Sequence, residues 1–282
     1  MEFESQELYK RADFDTAMYK ATSLHIAREY NDVLALRLDA HKNFVGSELN
    51  SSDESSAEDI LRSGEERKLT EEDLITVAGN VRNIAATYER LGDDGSATAA
   101  IECALKLHET LLRRSSESNR VLNQRLCREI AADEFYLGAL AAKVGLAIEL
   151  EQGRQMAEGQ GEIALEHMRD SARSFKDARS FDKPSDPPHQ YEINGSSRIA
   201  VAEALWGDRK CARELGRMAL WGALRSEANR PAKERWRAVT KATMRAMGAI
   251  AVTELAAIGD RKLPGISPAA RKAAVRMTQK LL

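Results

Sequence analysis

The sequence predicts an all-α protein of about eight to eleven helices joined by short turns. Three observations carry this. No proline occurs before Pro184, so nothing in the first 183 residues removes a helical backbone donor. That stretch is rich in Ala, Leu, Glu and Arg, which are good helix formers. Apolar residues recur at intervals of three and four rather than two. Leu122, Leu126, Ile130 and Ala131 form one stripe, and Phe135, Leu137, Leu140 and Ala141 continue it at a drifting angle. No segment alternates in the manner of a strand.

The elements follow from start and stop signals. Residues 51–56 (Ser-Ser-Asp-Glu-Ser-Ser) read as a polar, acidic loop. Thr70-Glu71-Glu72-Asp73 has the form of an N-terminal cap with an acidic first turn that suits the helix dipole, opening a helix to about Leu91. Residues 92–95 (Gly-Asp-Asp-Gly) stop it, and the next helix starts at about Ser96. Ser115, Ser116 and Ser118 break the chain before a long helix to about Gln152. Gly153, Gly159 and Gly161 mark the following turn, with a further helix to about Phe181. Residues 186–191 (Asp-Pro-Pro-His-Gln-Tyr) read as a loop. Helices are expected at about 195–206, 209–228 and 232–258, and Ser267-Pro268 opens a last one to Leu282.

The formal net charge of −2 conceals a split: residues 201–282 hold 17 Lys+Arg and 7 Asp+Glu, a net of +10. The expected organisation is an acidic helical region over 1–182, a Pro-rich loop at 183–194, and a basic helical region over 195–282, all in one continuous helical domain. Cys103, Cys127 and Cys211 make no CxxC pair and read as reduced cysteines packed between helices. The acidic first ten residues lack the apolar core of a secretory signal, and no apolar run, 248–253 included, is long enough to span a bilayer. A cytoplasmic location with no membrane contact is expected.

Helical hairpins joined by Gly-Asp turns invite a search for repeats. Val81, Ile84, Ala85 and Tyr88 precede Leu91-Gly92-Asp93, and Ala97, Ile101, Ala104 and Leu105 follow. Ile199-Ala200, Trp206-Gly207-Asp208, Ala212, Gly216, Ala219 and Leu220 repeat the spacing. Small residues at Ala85, Ala97 and Ala104 let antiparallel helices approach closely, and glycine closes the turn. This pattern resembles the tetratricopeptide repeat, a helix–turn–helix unit, over 78–111 and more loosely over 193–226. The second copy has Glu203 where the first has Tyr88, and Glu109 and Leu224 stand where the family has its closing proline. The resemblance implies antiparallel hairpins stacked into an α-solenoid or an irregular helical bundle. It also implies a concave groove that holds a peptide or protein segment. Arg82, Asn83, Asn194 and Arg198 match groove-lining positions of the family and are suited to a peptide carboxylate or main chain. The helix at 117–152 departs from the repeat and would cap, fill or replace part of that groove.

Chemistry is otherwise sparse. His25, His41, His108, His167 and His189 form no HExxH and no Glu-x-x-His pair, and read as surface or core residues. Gly159-x-Gly161-x-x-Ala164 follows a helix rather than a strand, so it reads as a hairpin turn and not a dinucleotide site. There is no phosphate-binding loop and no nucleophile elbow. No catalytic residue, metal or cofactor is expected. Arg209, Arg213 and Arg217 share a helix face, and Lys233, Arg237 and Lys241 follow with Trp236 among them, a candidate basic surface with acidic residues interleaved. Trp206 and Trp221 read as core or inter-repeat contacts. The expectation is a non-enzymatic interaction scaffold or adaptor that binds a protein or peptide. One alternative is a regulator touching nucleic acid or an acidic partner through 201–282, with nucleic acid the lesser of the two. A helical enzyme without a recognisable motif is the other. Opposite charge halves also favour head-to-tail homo-oligomers.

Overall fold

The computed structural model describes residues 11–49, 56–182, 190–226, 232–261, 263 and 265–281; within those helices the side chains of 190–194, 223, 225–226 and 232–242 are not described. The fold is all-α, with eleven helices and no strand among the described residues. The chain falls into two compact units, Met1–Asp133 and Glu134–Leu282. The division between them falls within one helix; residues 183–189 of the Pro-rich segment lie outside the described set. The charge split belongs to these units. The first holds 17 Lys+Arg and 26 Asp+Glu, a net of −9, and the second 25 and 18, a net of +7.

The first unit contains α1 (Arg11–Ala27), α2 (Tyr30–Val45), α3 (Ser56–Glu66), α4 (Glu71–Leu91), α5 (Asp94–Arg114) and the first part of α6 (Arg120–Gln152). α1 packs on α2, α2 on α4 and α3, and α5 on α4 and α3. The Phe14 and Phe44 rings, with centroids 4.7 Å apart, join α1 to α2. Thr70 caps α4 as its sequence predicts: its Oγ1 accepts from the Asp73 N–H at 3.1 Å, and Asp73 Oδ2 accepts from the Thr70 N–H at 3.0 Å. Gly92 ends α4 at φ 84°, with the Asp93 N–H donating back to the Tyr88 carbonyl, and the Asp93 side chain caps α5 through the Ser96 N–H at 3.0 Å. Ala85, Ala97 and Ala104 are wholly buried beside Val81, Ile84 and Ile101.

The α1–α2 turn and the end of α3 were not marked by sequence. Both close with the same hydrogen-bond pattern as Gly92, but with Arg28 (φ 65°) and Lys68 (φ 57°) in the left-handed position.

The second unit contains the rest of α6, then α7 (Arg154–Ser180), α8 (Gln190–Trp206), α9 (Arg209–Ser226), α10 (Ala232–Gly259) and α11 (Ile266–Leu281). α8 packs on α7 and α9, α10 on both α8 and α9, and α11 on α10 and α8. One core gathers Leu146, Val201, Leu205, Val252 and Val275; a second gathers Ala164, Leu165, Met168 and Ile199. Trp206 packs against both.

Only Gly153 (φ 92°) turns the chain before α7; Gly159 and Gly161 lie inside the helix, not in a hairpin turn. Gly161 serves a close approach, because a Cβ there would sit 2.5 Å from Trp206 Cγ. α8 starts at Gln190, five residues earlier than expected. α9 and α10 are held in register by Gly216, whose position is 3.2 Å from Ile250 Cγ1 for a Cβ, and by the Arg213 Nε–Glu254 Oε1 pair at 2.9 Å. Trp221 departs from the core reading, being 67% exposed on α9.

Candidate functional site

Several arginines among the described residues are tied to carboxylates of the same unit, and Arg198 is not. In the first unit, Arg82 on α4 reaches α6. Its Nε donates to Asp133 Oδ1 at 2.5 Å and its Nη2 to Glu129 Oε2 at 2.6 Å. Asp133 is fully buried, and its other oxygen lies 2.6 Å from His108 Nδ1 on α5. Burial opposes the charge on Arg82, but Asp133 and Glu129 outweigh it and raise its pKa; Arg82 in turn holds Glu129 low against the same opposing burial. Arg82 therefore cross-links three helices and is not a free donor for a peptide. Its neighbour Asn83 is exposed on α4. Deeper in this unit, Arg37 Nη1 donates to Asn80 Oδ1 at 2.9 Å.

The second unit is tied in the same manner. Arg271 on α11 donates to Glu149 of α6 through Nε (2.6 Å) and Nη2 (3.1 Å), and the Trp206 indole N–H reaches the same carboxylate at 3.3 Å. Asp260, just beyond α10, accepts from Arg154 at 2.7 Å and from Arg209. Arg169 on α7 grips Glu203 of α8 at 2.7 and 2.9 Å, and Glu203 Oε2 also accepts the Asp208 N–H at 2.8 Å. That explains the absence of an aromatic from the second repeat-like hairpin: a buried carboxylate caps α9 there instead. Arg213 is bound to Glu254.

Of the basic-surface candidates, then, Arg209 and Arg213 are neutralised by partners on their own unit. Arg217 is exposed and meets no carboxylate among the described residues. Lys233, Arg237 and Lys241 lie on α10 with side chains outside the described set, as does that of Trp236.

Arg198 on α8 is different. Its guanidinium carbon stands 5.2 Å from the centroid of the Phe135 ring on α6. Its Nε is buried without a hydrogen-bond partner, and no carboxylate among the described residues meets it. Burial lowers its pKa, and the nearby positive charge of Arg245 on α10 lowers it further. A guanidinium fork without a carboxylate partner has the geometry to meet a carboxylate or phosphate in two hydrogen bonds. Asn194 lies one turn earlier on α8, with its side chain outside the described set.

Beside Phe135, Glu134 pairs with His167 of α7 at 2.7 Å. That hydrogen bond raises the His167 pKa against the opposing effect of burial. Sequence spacing pointed to Arg198 but gave no sign of Phe135, 63 positions away, or of the Glu134–His167 pair. The only signal available was the run of α6 residues that departs from the repeat.

Other chemistry is muted. Burial pushes the Cys103 thiol up to about 12, and burial with Glu203 and Asp208 raises that of Cys211, so neither is poised as a thiolate. Among the described residues no group of three His, Cys, Asp or Glu could hold a metal, and no helix is long and apolar enough to cross a membrane. A cleft of about 330 Å³ between α3 and α5 is lined by Arg62, Lys106, Arg113 and Arg114, but Glu58 and Glu65 bridge to Lys106 (3.1 Å) and Arg114 (2.6 Å) across it. Comparison of the chain with protein-family models, with curated proteins and with solved structures finds no match in any of the three.

Proposed function

We propose that this chain is a protein-interaction scaffold of helical hairpins that holds an acidic segment of a partner, with Arg198 as the anchoring residue. The observation that carries the proposal is the Arg198 guanidinium over Phe135 with its Nε unpartnered, where Arg82, Arg169 and Arg271 each meet a carboxylate of their own unit. Leaving one cation half-buried and unpaired costs stability, and a ligand carboxylate would recover it. The packing of α10 on both helices of the α8–α9 hairpin supports a stacked-hairpin architecture of the tetratricopeptide kind. Arg82 is taken up by Asp133 and Glu129 and has no part in the proposed site, which rests on Arg198. The nucleic-acid alternative draws less support, since the basic face at Arg209 and Arg213 is already matched by Asp260 and Glu254.

The test uses two synthetic peptide pools of equal length, one enriched in Asp and Glu and the other in Asn and Gln, with binding read by fluorescence polarisation. The acidic pool is expected to bind more tightly, with an affinity that falls as salt rises. Arg198→Ala is expected to weaken it about tenfold or more, and Arg198→Lys to recover part of the loss. Equal binding of both pools, or an Arg198→Ala variant that binds the acidic pool as the wild type does, would refute the proposal. A duplex oligonucleotide that binds more tightly than the acidic pool would favour the nucleic-acid alternative.

A further inference from the structure

The α9–α10 hairpin leaves a strip of large apolar side chains in solvent. Met218, Trp221 and Leu224 follow one another at three-residue spacing on α9, 62%, 67% and 45% exposed, and Met244 and Met247 on α10 are 67% and 59% exposed. The register set by Gly216 against Ile250 and by Arg213 against Glu254 puts Trp221 level with residues 244–247 of α10. Counting in helical turns from the Arg213–Glu254 bridge puts Arg217, Trp221 and Leu224 on α9, and Met244 and Met247 on α10, on one surface, with Met218 flanking Trp221 on its other side. Exposed aromatic and methionine side chains clustered in this manner are the composition of an interface centre, not of an ordinary solvated face.

Charge selects what can cover the patch. It belongs to the unit of net charge +7 and has exposed Arg217 within it, so the same patch of a second copy would bring like charge together. The unit of net charge −9 offers the complement. On α1, Tyr19 and Ile26 are each 78% exposed and stand two turns apart on one face. Exposed Asp15 precedes that pair by one turn and is bridged to Arg11 of the same helix at 3.0 Å, so the complement rests on the net charge of the unit.

We propose that this chain associates with itself head to tail, the Trp221 strip of one copy covering the Tyr19–Ile26 face of α1 of another. The contact is heterologous: each copy carries both halves, and the two halves differ. It is independent of Arg198, so the peptide proposal and this one fail separately.

Sedimentation velocity over a range of concentrations at low and high salt tests it, on the full chain and on the variants Trp221→Glu and Ile26→Glu. All the changed side chains are exposed, and circular dichroism with a thermal melt checks that each variant folds. The wild type is expected to form species of dimer mass or larger, weakening as salt rises. Each single variant is expected to weaken self-association at least tenfold. An equimolar mixture of the two variants is expected to recover a one-to-one species, because Trp221→Glu keeps an intact α1 face and Ile26→Glu an intact strip. Met218→Glu is expected to behave as Trp221→Glu does, and Arg198→Ala as the wild type. A wild type that stays monomeric at all concentrations and low salt would overturn the proposal. So would single variants that associate normally, or a mixture that stays monomeric. Loss of association in Trp221→Glu with none in Ile26→Glu would mean that the strip pairs with something other than α1, and would overturn it equally.

Discussion

His41 gives the sharpest prediction about stability. It is fully buried on α2, and neither ring nitrogen has a hydrogen-bond partner. Burial alone lowers its pKa from 6.5 to about 4. The folded value lies below the unfolded one, so between these limits the unfolded chain binds the extra proton. The stability is therefore fully present above pH 6.5 and lost as pH falls towards 4. The whole shift corresponds to about 3 kcal/mol, of which about 2 kcal/mol is lost between pH 7 and pH 5. Urea unfolding followed by circular dichroism, at pH 7, 6 and 5, measures this in the wild type and in His41→Leu. Leucine fills a similar volume, has no proton to bind, and removes two orphaned polar atoms from the core. The variant is expected to be more stable at pH 7 by about 1–3 kcal/mol. It is also expected to lack the His41 share of the pH dependence, so that the two stability curves diverge as pH falls. Parallel curves between pH 7 and pH 5 would refute the reasoning, because carboxylates shared by both proteins cancel in the difference.

Other outcomes follow from the same reading. Glu149→Ala removes the main partner of Arg271, leaving it Asp260 at 3.9 Å and the Leu205 carbonyl, and is expected to cost about 2–4 kcal/mol, while the double change Glu149→Leu with Arg271→Met recovers most of it; denaturant midpoints of the wild type and the two variants decide. The raised His167 pKa means that its bond to Glu134 stabilises fully below pH 6.5 and is lost as pH rises through the raised value. In an NMR titration Glu134→Gln should bring the His167 pKa down, and an unmoved titration would show that the pair does not hold the proton. Gly92→Ala has open space for its methyl group but a left-handed backbone, and is expected to cost about 1–2 kcal/mol. Gly161→Ala has an ordinary helical backbone but meets the Trp206 ring, at about 1–3 kcal/mol, and Trp206 fluorescence should change only in the second case.

How much of this was legible in the sequence depends on whether the signal was local. The Thr70 cap, the Gly92 stop and the small residues between α4 and α5 lie within a few turns of one another, and periodicity and capping describe them well. The turns at Arg28 and Lys68 use the same backbone geometry without glycine, so nothing in the residue types marked them. Gly159 and Gly161 show the opposite case: both have the look of turn residues but lie inside α7, where Gly161 makes room for an indole and Gly159 faces open space. The site divides in the same way. Its place in a repeat-like hairpin makes Arg198 a candidate. Arg82 is a candidate on equal grounds, yet Asp133 and His108, 51 and 26 positions further on, fold against it and make it structural.

The difference between Arg82 and Arg198 is therefore not one of residue type, helix position or repeat register. It lies in whether a distant carboxylate arrives. In this chain the carboxylates arrive at Arg82, Arg169, Arg209, Arg213 and Arg271. A helical protein of low net charge can satisfy its arginines internally, so an unsatisfied one carries more information than any count of basic residues. The same logic applies to apolar groups. Trp206 and Trp221 flank one hairpin and look equivalent in sequence, but α6 and α7 each present a glycine to the first, and no such seat covers the second. Trp221 is left 67% exposed, and covering such an indole is favourable.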